Sequence, residues 1–300
     1  MAHLPEPAID LYLRLGRRNR IWTDTAAAQR HLSERYLRPT TFAPPRRLRG
    51  DVSLSRRRVR GWPVYELAPT AGPTRGTVVY THGGGWVNEI VVQHWRLCAR
   101  IAAEAGVRVL VPIYPLIPEA TAADVVAGVA ELAVEADRDG PLCLAGDSAG
   151  GQIALAAALV VRDRFGIRAG QTVLISPALD ATLSNPEIPA VETVDPWLGR
   201  AGVEVFTDVW RGDLTLTDPL VSPVYGDLTG LGPLTVFIGT RDILWPDTRR
   251  LAERARAAGV RVDLHERPGL VHVYPLLPTA EGEAARRTII TTVRESAARA

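Results

Sequence analysis

Cys143-Leu144-Ala145-Gly146-Asp147-Ser148-Ala149-Gly150-Gly151 is the stretch around which the chain organises itself. A short apolar strand, Leu142 to Ala145, runs into Gly-x-Ser-x-Gly, and an apolar helical run, Gln152 to Val161, follows at once. A strand that becomes a helix within so few residues needs a sharp turn, and its apex is predicted to take strained backbone angles. Gly146 and Gly150 flank the apex because side chains there would collide with the neighbouring strand and helix. The turn lifts the Ser148 hydroxyl clear of the sheet. It also sets that hydroxyl at a helix N-terminus, where free N–H groups favour developing negative charge.

Outward from this stretch the pattern is strand–helix alternation. Thr77 to Thr81, Val107 to Ile113, Thr172 to Ile175, Leu234 to Ile238 and Val260 to Glu266 read as strands. Between them, Trp95 to Ala105 carries Leu97, Ile101 and Ala105 on one helical face, and Asp124 to Ala136 carries Val125, Val129 and Leu132. Asp247 to Ala258 is a helix stopped by Gly259, and Glu283 to Ala298 closes the chain. The helix after Ser148 is apolar on nearly all sides and is expected to be buried on the sheet. Repeated βα units with short continuous apolar strands predict an α/β protein, its central sheet mostly parallel and covered by helices on both faces. Val52 to Arg60 and Trp62 to Leu67 read as an antiparallel pair around Gly61.

Two segments break the alternation. Residues 1–45 are amphipathic, with Leu11, Leu13, Ile21, Trp22 and Tyr36 among arginines. Such a segment is too short to bury a core of its own. Residues 181–230 carry Pro186, Pro189, Pro196, Trp197, Trp210 and Pro219. A long insertion at the C-terminal edge of a strand is where a lid would sit. The expected organisation is therefore an N-terminal segment, 1–45, a catalytic domain from 46–180 and 231–300, and an insertion, 181–230.

Composition bounds the function. Hydrophobic residues make up 46% and charged residues 23% of the 300, ordinary for a globular protein with a sizeable core. The net charge of +2 implies no pull toward nucleic acid or an anionic membrane. All 35 residues counted as Lys or Arg are Arg, which excludes a Schiff-base lysine or a Ser–Lys dyad. Cys98 and Cys143 read as buried free thiols, and no zinc spacing is present. No stretch reaches the ~18 apolar residues of a membrane span, and the N-terminus lacks the form of a secretory signal. The expectation is a cytoplasmic protein without a membrane span. Its partner is a small molecule rather than nucleic acid, and a homodimer is left open.

Acyl transfer by serine needs a nucleophile, a base, a group that orients the base, and N–H donors for the oxyanion. His82-Gly83-Gly84-Gly85-Trp86 directly follows the strand ending at Thr81, and three glycines let the backbone come close to a tetrahedral intermediate. A phosphate loop would want Gly-x-x-x-x-Gly-Lys or Gly-x-Gly-x-x-Gly, and neither is here. Six histidines are available: His3, His31, His82, His94, His265 and His272. His3 and His31 lie in the N-terminal segment, His82 in the glycine loop, His94 at a helix start and His265 within a strand. Only His272 follows the last strand, the place of the base in an α/β-hydrolase, whose order is serine, acid, histidine. For the acid, Asp242 sits at a strand end, at the same rim as Ser148. Asp247 is explained as a helix N-terminal residue engaged with free N–H groups. Asp242 is the better orienting acid.

Taken together these residues resemble the hormone-sensitive-lipase-like (group IV) carboxylesterases of the α/β-hydrolase fold. His82-Gly83-Gly84-Gly85-Trp86 matches that family's His-Gly-Gly-Gly signature, and Gly146-Asp147-Ser148-Ala149-Gly150-Gly151 matches its nucleophile motif throughout. The resemblance covers roughly residues 50–300. It implies that Gly84, Gly85 and Ala149 supply the oxyanion N–H groups, supported by His82, Gly83, Trp86, Gly146, Asp147 and Gly150. It also implies that residues 1–45 and 181–230 form a helical cap. Two departures are visible. The family's Tyr-Arg-Leu-Ala-Pro-Glu is here Tyr114-Pro115-Leu116-Ile117-Pro118-Glu119, and its Asp-Pro-Leu-x-Asp is here one residue longer, Asp242 to Asp247. Neither removes a catalytic group. The expected activity is hydrolysis of short- to medium-chain esters through an acyl-enzyme on Ser148, with no cofactor or metal. An amide-cleaving hydrolase with the same triad, and a non-catalytic ligand-binding member of the fold, are the alternatives.

Overall fold

The computed structural model describes residues 4–15 and 19–299; His3 lies outside them, as does the side chain of Leu11. In chain order the elements are α1 (Glu6–Leu15), α2 (Arg20–Thr23), α3 (Thr25–Leu37), β1 (Val52–Val59), β2 (Trp62–Pro69), β3 (Thr77–Thr81), α4 (Val92–Ala105), β4 (Arg108–Pro112) and α5 (Ala122–Asp137). They continue with β5 (Leu142–Asp147), α6 (Ala149–Phe165), β6 (Gln171–Ile175), α7 (Ile188–Glu192), α8 (Arg200–Arg211), β7 (Leu234–Gly239), α9 (Trp245–Ala257), β8 (Val262–Arg267) and α10 (Ala280–Ala298).

The eight strands form one sheet in the order β1-β2-β4-β3-β5-β6-β7-β8. From β4 to β8 neighbours are parallel, and β1 and β2 add an antiparallel edge. The β1–β2 hairpin turns through Arg60 and Gly61, with φ of 52° and 82°, as a two-residue turn between twisted strands requires. Along the parallel strands the side chains alternate between faces. Val79, Leu110 and Leu144 pack with α5 and α6, while Val78, Val109 and Cys143 pack with α4 and α10. Every residue of α6 from Ala149 to Val161 is buried, which is why its sequence shows no polar face. Cys98 and Cys143 are buried free thiols. Among the described residues no helix is long and apolar enough to cross a membrane.

The chain between β6 and β7 carries α7 and α8, and it meets the N-terminal helices. Trp22 packs edge-on against Phe206 of α8, ring centroids 5.4 Å apart, and Thr25 Oγ donates to Ala201 O at 3.3 Å. Gly202 has no room for a Cβ against the Ile21–Trp22 backbone, so α2 and α8 approach at backbone distance. From α1, Ile9 and Leu13 are buried with Val271, and Asp10 pairs with Arg241 at 2.7 Å.

Candidate active site

Ser148 stands between β5 and α6 with φ 52° and ψ −121°, a conformation that an L-residue holds only where its surroundings enforce it. The enforcement is visible. Ser148 N–H donates to Ile175 O at 2.8 Å, and Ser148 O accepts from Ala178 N–H at 3.1 Å. A Cβ on Gly146 would strike the Gly150 carbonyl, and one on Gly150 would strike the Thr81 carbonyl. The two glycines let strand and helix pass each other at contact distance.

His272 follows β8 and Asp242 follows β7. Ser148 Oγ lies 3.0 Å from His272 Nε2, and His272 Nδ1 lies 2.7 Å from Asp242 Oδ2. A carboxylate only accepts, so Nδ1 carries the proton and Nε2 is left to accept from the Ser148 hydroxyl. Asp242 is fully buried, and its other oxygen accepts from Leu244 N–H at 3.0 Å. Burial pushes the His272 imidazolium toward deprotonation. The Asp242 carboxylate, with Asp195 and Asp147 behind it, more than offsets this and holds its pKa above the ordinary histidine value.

The glycine loop is held from beneath. Asp147 Oδ1 accepts from Gly83 N–H at 3.0 Å and from the Tyr80 hydroxyl at 2.7 Å, and Oδ2 faces His94 Nε2 at 3.1 Å. Burial raises the Asp147 carboxyl, but His94, Tyr80 and His82 outweigh it, and its pKa lies below the usual carboxylate value. His82 Nδ1 lies 2.7 Å from Gly83 O, and the ring stacks on Tyr114 with centroids 4.5 Å apart. Burial, with His94 close by, lowers the His82 pKa to about 4, so the ring is neutral and donates from Nδ1. In a trans peptide the C=O and the following N–H point opposite ways, so this bond aims Gly84 N–H away from His82. Among the described residues no acceptor within the chain takes the N–H of Gly84 or Gly85. Ala149 opens α6, where its N–H has no intrahelical acceptor.

The structure thus brings Ser148, His272 and Asp242 into one hydrogen-bonded chain beside Gly84, Gly85 and Ala149. His265 stays at the sheet edge with Asp263 and takes no part. Asp247 does begin a helix, in the first turn of α9, but the expectation that backbone N–H groups occupy its carboxylate is corrected. Oδ1 accepts from Asn185 Nδ2 at 2.9 Å, and buried Oδ2 has no hydrogen-bond partner among the described residues. The third residue of a helix can turn its side chain inward, and here it meets the chain between β6 and β7.

Three participants escaped sequence reasoning. Asp195 accepts from the N–H groups of Trp197, Leu198 and Ile243. Gln152 Oε1 accepts from the indole N–H of both Trp86 and Trp210 at 3.1 Å, tying the glycine loop to α8. Asn88 donates to Gly84 O. The one available signal was Gln152, a lone polar residue opening an otherwise apolar helix.

Ser148 and His272 open into a cavity of about 1220 Å³, walled by Trp22, Trp197, Leu198, Val203 and Phe206. Its walls come from the N-terminal helices, the β6–β7 connection and the glycine loop together.

Residues 78–276 match the model of a family described by its α/β-hydrolase fold. An acetyl-hydrolase of Streptomyces hygroscopicus is 32% identical over 217 residues, 70% of this chain and 72% of that protein. A triacylglycerol lipase of Mycobacterium tuberculosis (strain ATCC 25618 / H37Rv) is 33% identical over 221 residues, and the match spans 72% of this chain and 46% of that longer protein. Among solved structures, an esterase from the bacterial hormone-sensitive lipase family is 28% identical with a TM-score of 0.81, over 99% of this chain and 100% of that one. A hormone-sensitive lipase from a metagenome library is 26% identical with a TM-score of 0.79, over the whole of both chains. With its strand–turn–helix serine, its His-Gly-Gly-Gly loop and these likenesses, the chain belongs to the α/β-hydrolase fold family, among the carboxylic ester hydrolases of the hormone-sensitive-lipase type.

Proposed function

We propose that this protein is a serine esterase that hydrolyses short- to medium-chain carboxylic esters through an acyl-enzyme on Ser148. The observation that carries the reading is the chain from Ser148 Oγ to His272 Nε2 at 3.0 Å and from His272 Nδ1 to Asp242 at 2.7 Å, opening on an apolar cavity. Ser148 attacks the ester carbonyl as Nε2 takes its proton. Asp242 keeps the imidazole in the productive tautomer and stabilises the imidazolium. The N–H groups of Gly84, Gly85 and Ala149 receive the oxyanion, each worth about 3 kcal/mol in the transition state. His272 returns the proton to the leaving alkoxide, then activates water to hydrolyse the acyl-enzyme. The chemistry calls for no metal and no cofactor.

Residues 1–45 and 181–230 act as a cap in this reading. Trp22 and Phe206 meet above the glycine loop and Trp197 stands beside His272, so the cavity is roofed rather than open to an oil surface. A roofed cavity favours soluble esters of limited chain length. The test joins two measurements. Wild-type protein is expected to be labelled on Ser148 by a fluorophosphonate and to turn over p-nitrophenyl esters with a maximum between acetate and octanoate, and Ser148→Ala to lose both. A folded Ser148→Ala that keeps its turnover, or a wild type faster on the matched anilide than on the ester, would overturn it.

A further inference from the structure

The glycine loop is gripped from above as well as from below, and the upper grip comes from the N-terminal segment. Gly84 O accepts from Asn88 N–H at 3.0 Å and from Asn88 Nδ2 at 3.1 Å. Since Nδ2 donates there, Oδ1 is the acceptor that faces His31 Nε2 at 2.7 Å, and that nitrogen carries the proton. His31 sits on α3 with its ring edge-on to Phe206 of α8, centroids 6.4 Å apart. Burial holds its pKa below the ordinary histidine value, against the pull of the Asn88 bond, so it is a neutral donor.

The consequence follows from peptide geometry. The Gly84 C=O and the Gly85 N–H belong to one trans peptide and point in opposite directions. Two donors from Asn88, with the Val87 N–H beside them at 3.3 Å, fix the carbonyl on one side, which leaves the Gly85 N–H on the other. Gly84 and Gly85 have φ of 128° and 61°, in a region where glycine moves freely, so no side chain of their own resists rotation of this peptide. Resistance has to come from the partner of the carbonyl.

We propose that His31 and Asn88 are positioning residues that lock the Gly84–Gly85 peptide with its N–H toward the reacting carbonyl, making the N-terminal segment a working part of the oxyanion site. This rests on the esterase reading above, in which Gly85 N–H is an oxyanion donor. The clamp acts only where negative charge develops, so its loss is expected to lower kcat and leave KM nearly unchanged.

The experiment compares wild type with His31→Phe, His31→Gln and Asn88→Asp, each checked for a native melting transition. Kinetics on p-nitrophenyl butyrate are paired with the affinity for an alkyl trifluoromethyl ketone, whose free, unhydrated carbonyl takes up the Ser148 oxygen as His272 takes the proton, giving a hemiketal with its oxyanion in the hole. Removal of a whole donor costs ~10²–10³ in kcat, and a loosened one is expected to cost roughly tenfold in His31→Phe and more in Asn88→Asp. Ketone affinity should fall in parallel with KM within about twofold of wild type. His31→Gln keeps an N–H near the Nε2 position and should recover most of both. Folded His31→Phe or Asn88→Asp with wild-type kcat and ketone affinity would overturn the clamp. So would a His31→Gln no better than His31→Phe. If His31→Phe does not fold, the folded Asn88→Asp decides. A wild type that neither binds the ketone nor takes a fluorophosphonate would instead overturn the esterase reading on which the clamp rests.

Discussion

Asp195 and Asp242 bracket one turn of backbone from opposite sides. Asp195 Oδ2 accepts from Ile243 N–H at 2.9 Å, and Asp242 Oδ1 accepts from the next N–H, that of Leu244, at 3.0 Å. Asp195 arrives from the β6–β7 connection and Asp242 from the end of β7, so the loop bearing the proposed triad acid is held by that connection. The other oxygen of Asp195 caps Trp197 and Leu198, and Trp197 stands edge-on to His272 with centroids 5.6 Å apart. Burial raises the Asp195 carboxyl, and the nearby Asp242 charge raises it further, while three backbone donors pull it back.

Asp195→Asn should shift the acid limb of the kcat/KM profile to lower pH. In the proposed mechanism the base form of His272 is the active one, so activity is expected to fall as pH drops through its pKa. That pKa is raised above the ordinary value, with Asp195 among the carboxylates raising it. Asp195, its own carboxyl raised to about 7, is charged over the upper part of this limb, and removing that charge lowers the His272 pKa. Profiles between pH 5 and 9 read the shift directly, and a limb that stays put or moves upward counts against the coupling.

Asp242→Asn and Asp247→Asn should separate cleanly. Asp242 touches His272 Nδ1 at 2.7 Å, whereas Asp247 touches Asn185. An amide at position 242 leaves the imidazole in the wrong tautomer, with a loss approaching ~10⁴-fold in kcat at neutral pH. Asp247→Asn should retain kcat within about threefold, as surface and distant changes do when they touch no reacting group. Steady-state rates on one ester for both purified variants decide the matter, and a reversed order moves the acid to Asp247.

The local parts of this site were legible in the sequence because their chemistry is written in adjacent residues. Gly-x-Ser-x-Gly between a strand and a helix fixes a turn, and His82 to Trp86 after a strand fixes a glycine loop. Chain order around the sheet pointed to His272 and Asp242, and the structure places the two within hydrogen-bond distance of each other, with His272 beside Ser148. What joins distant segments left no such mark. Asp195 lies 47 positions before Asp242 in the numbering, and His31 and Asn88 are 57 apart, so neither pairing has a spacing to read. Asp247 misled because a carboxylate in a first helical turn has a local explanation, and only the packing of the β6–β7 connection shows that Asn185 holds it instead.

Asp247 also predicts a stability effect with a defined sign. Burial raises its carboxyl to about 6; Asn185 and Arg250 oppose the rise and Asp180 adds to it. A carboxyl raised on folding holds its proton more tightly in the native state. Its contribution is therefore most favourable below the unfolded value near 3.8 and is lost as pH rises toward 6. Asp247→Asn removes the charge altogether. Relative to wild type it should gain roughly 1–3 kcal/mol on going from pH 3.5 to pH 8. Denaturant melts at the two pH values measure this, and a relative loss at pH 8 would contradict the sign.

Trp22 sets the last expectation, because its ring lies directly on Gly85. A Cβ built on Gly85 would come within 2.5 Å of Trp22 Cη2 and Cζ3, so the indole roofs the glycine that is the proposed oxyanion donor. Beside it the ring of Phe206 packs edge-on against the indole and also comes close to Gly85. Trp22→Ala removes most of a side chain that buries on the order of 200 Å² and opens that volume beside the reacting carbonyl. A longer acyl chain can then fill it, at about 0.8 kcal/mol for each methylene newly taken from water. Two such methylenes should raise the octanoate-to-butyrate ratio of kcat/KM by roughly tenfold. The rate on butyrate itself should fall, since a short chain leaves the new space unfilled and the loop loses a wall. Parallel kinetics on p-nitrophenyl butyrate, hexanoate and octanoate give the ratio without dependence on enzyme concentration. An unchanged ratio in a folded Trp22→Ala would mean that the acyl chain runs elsewhere in the cavity, and that Trp22 bounds the alcohol side instead.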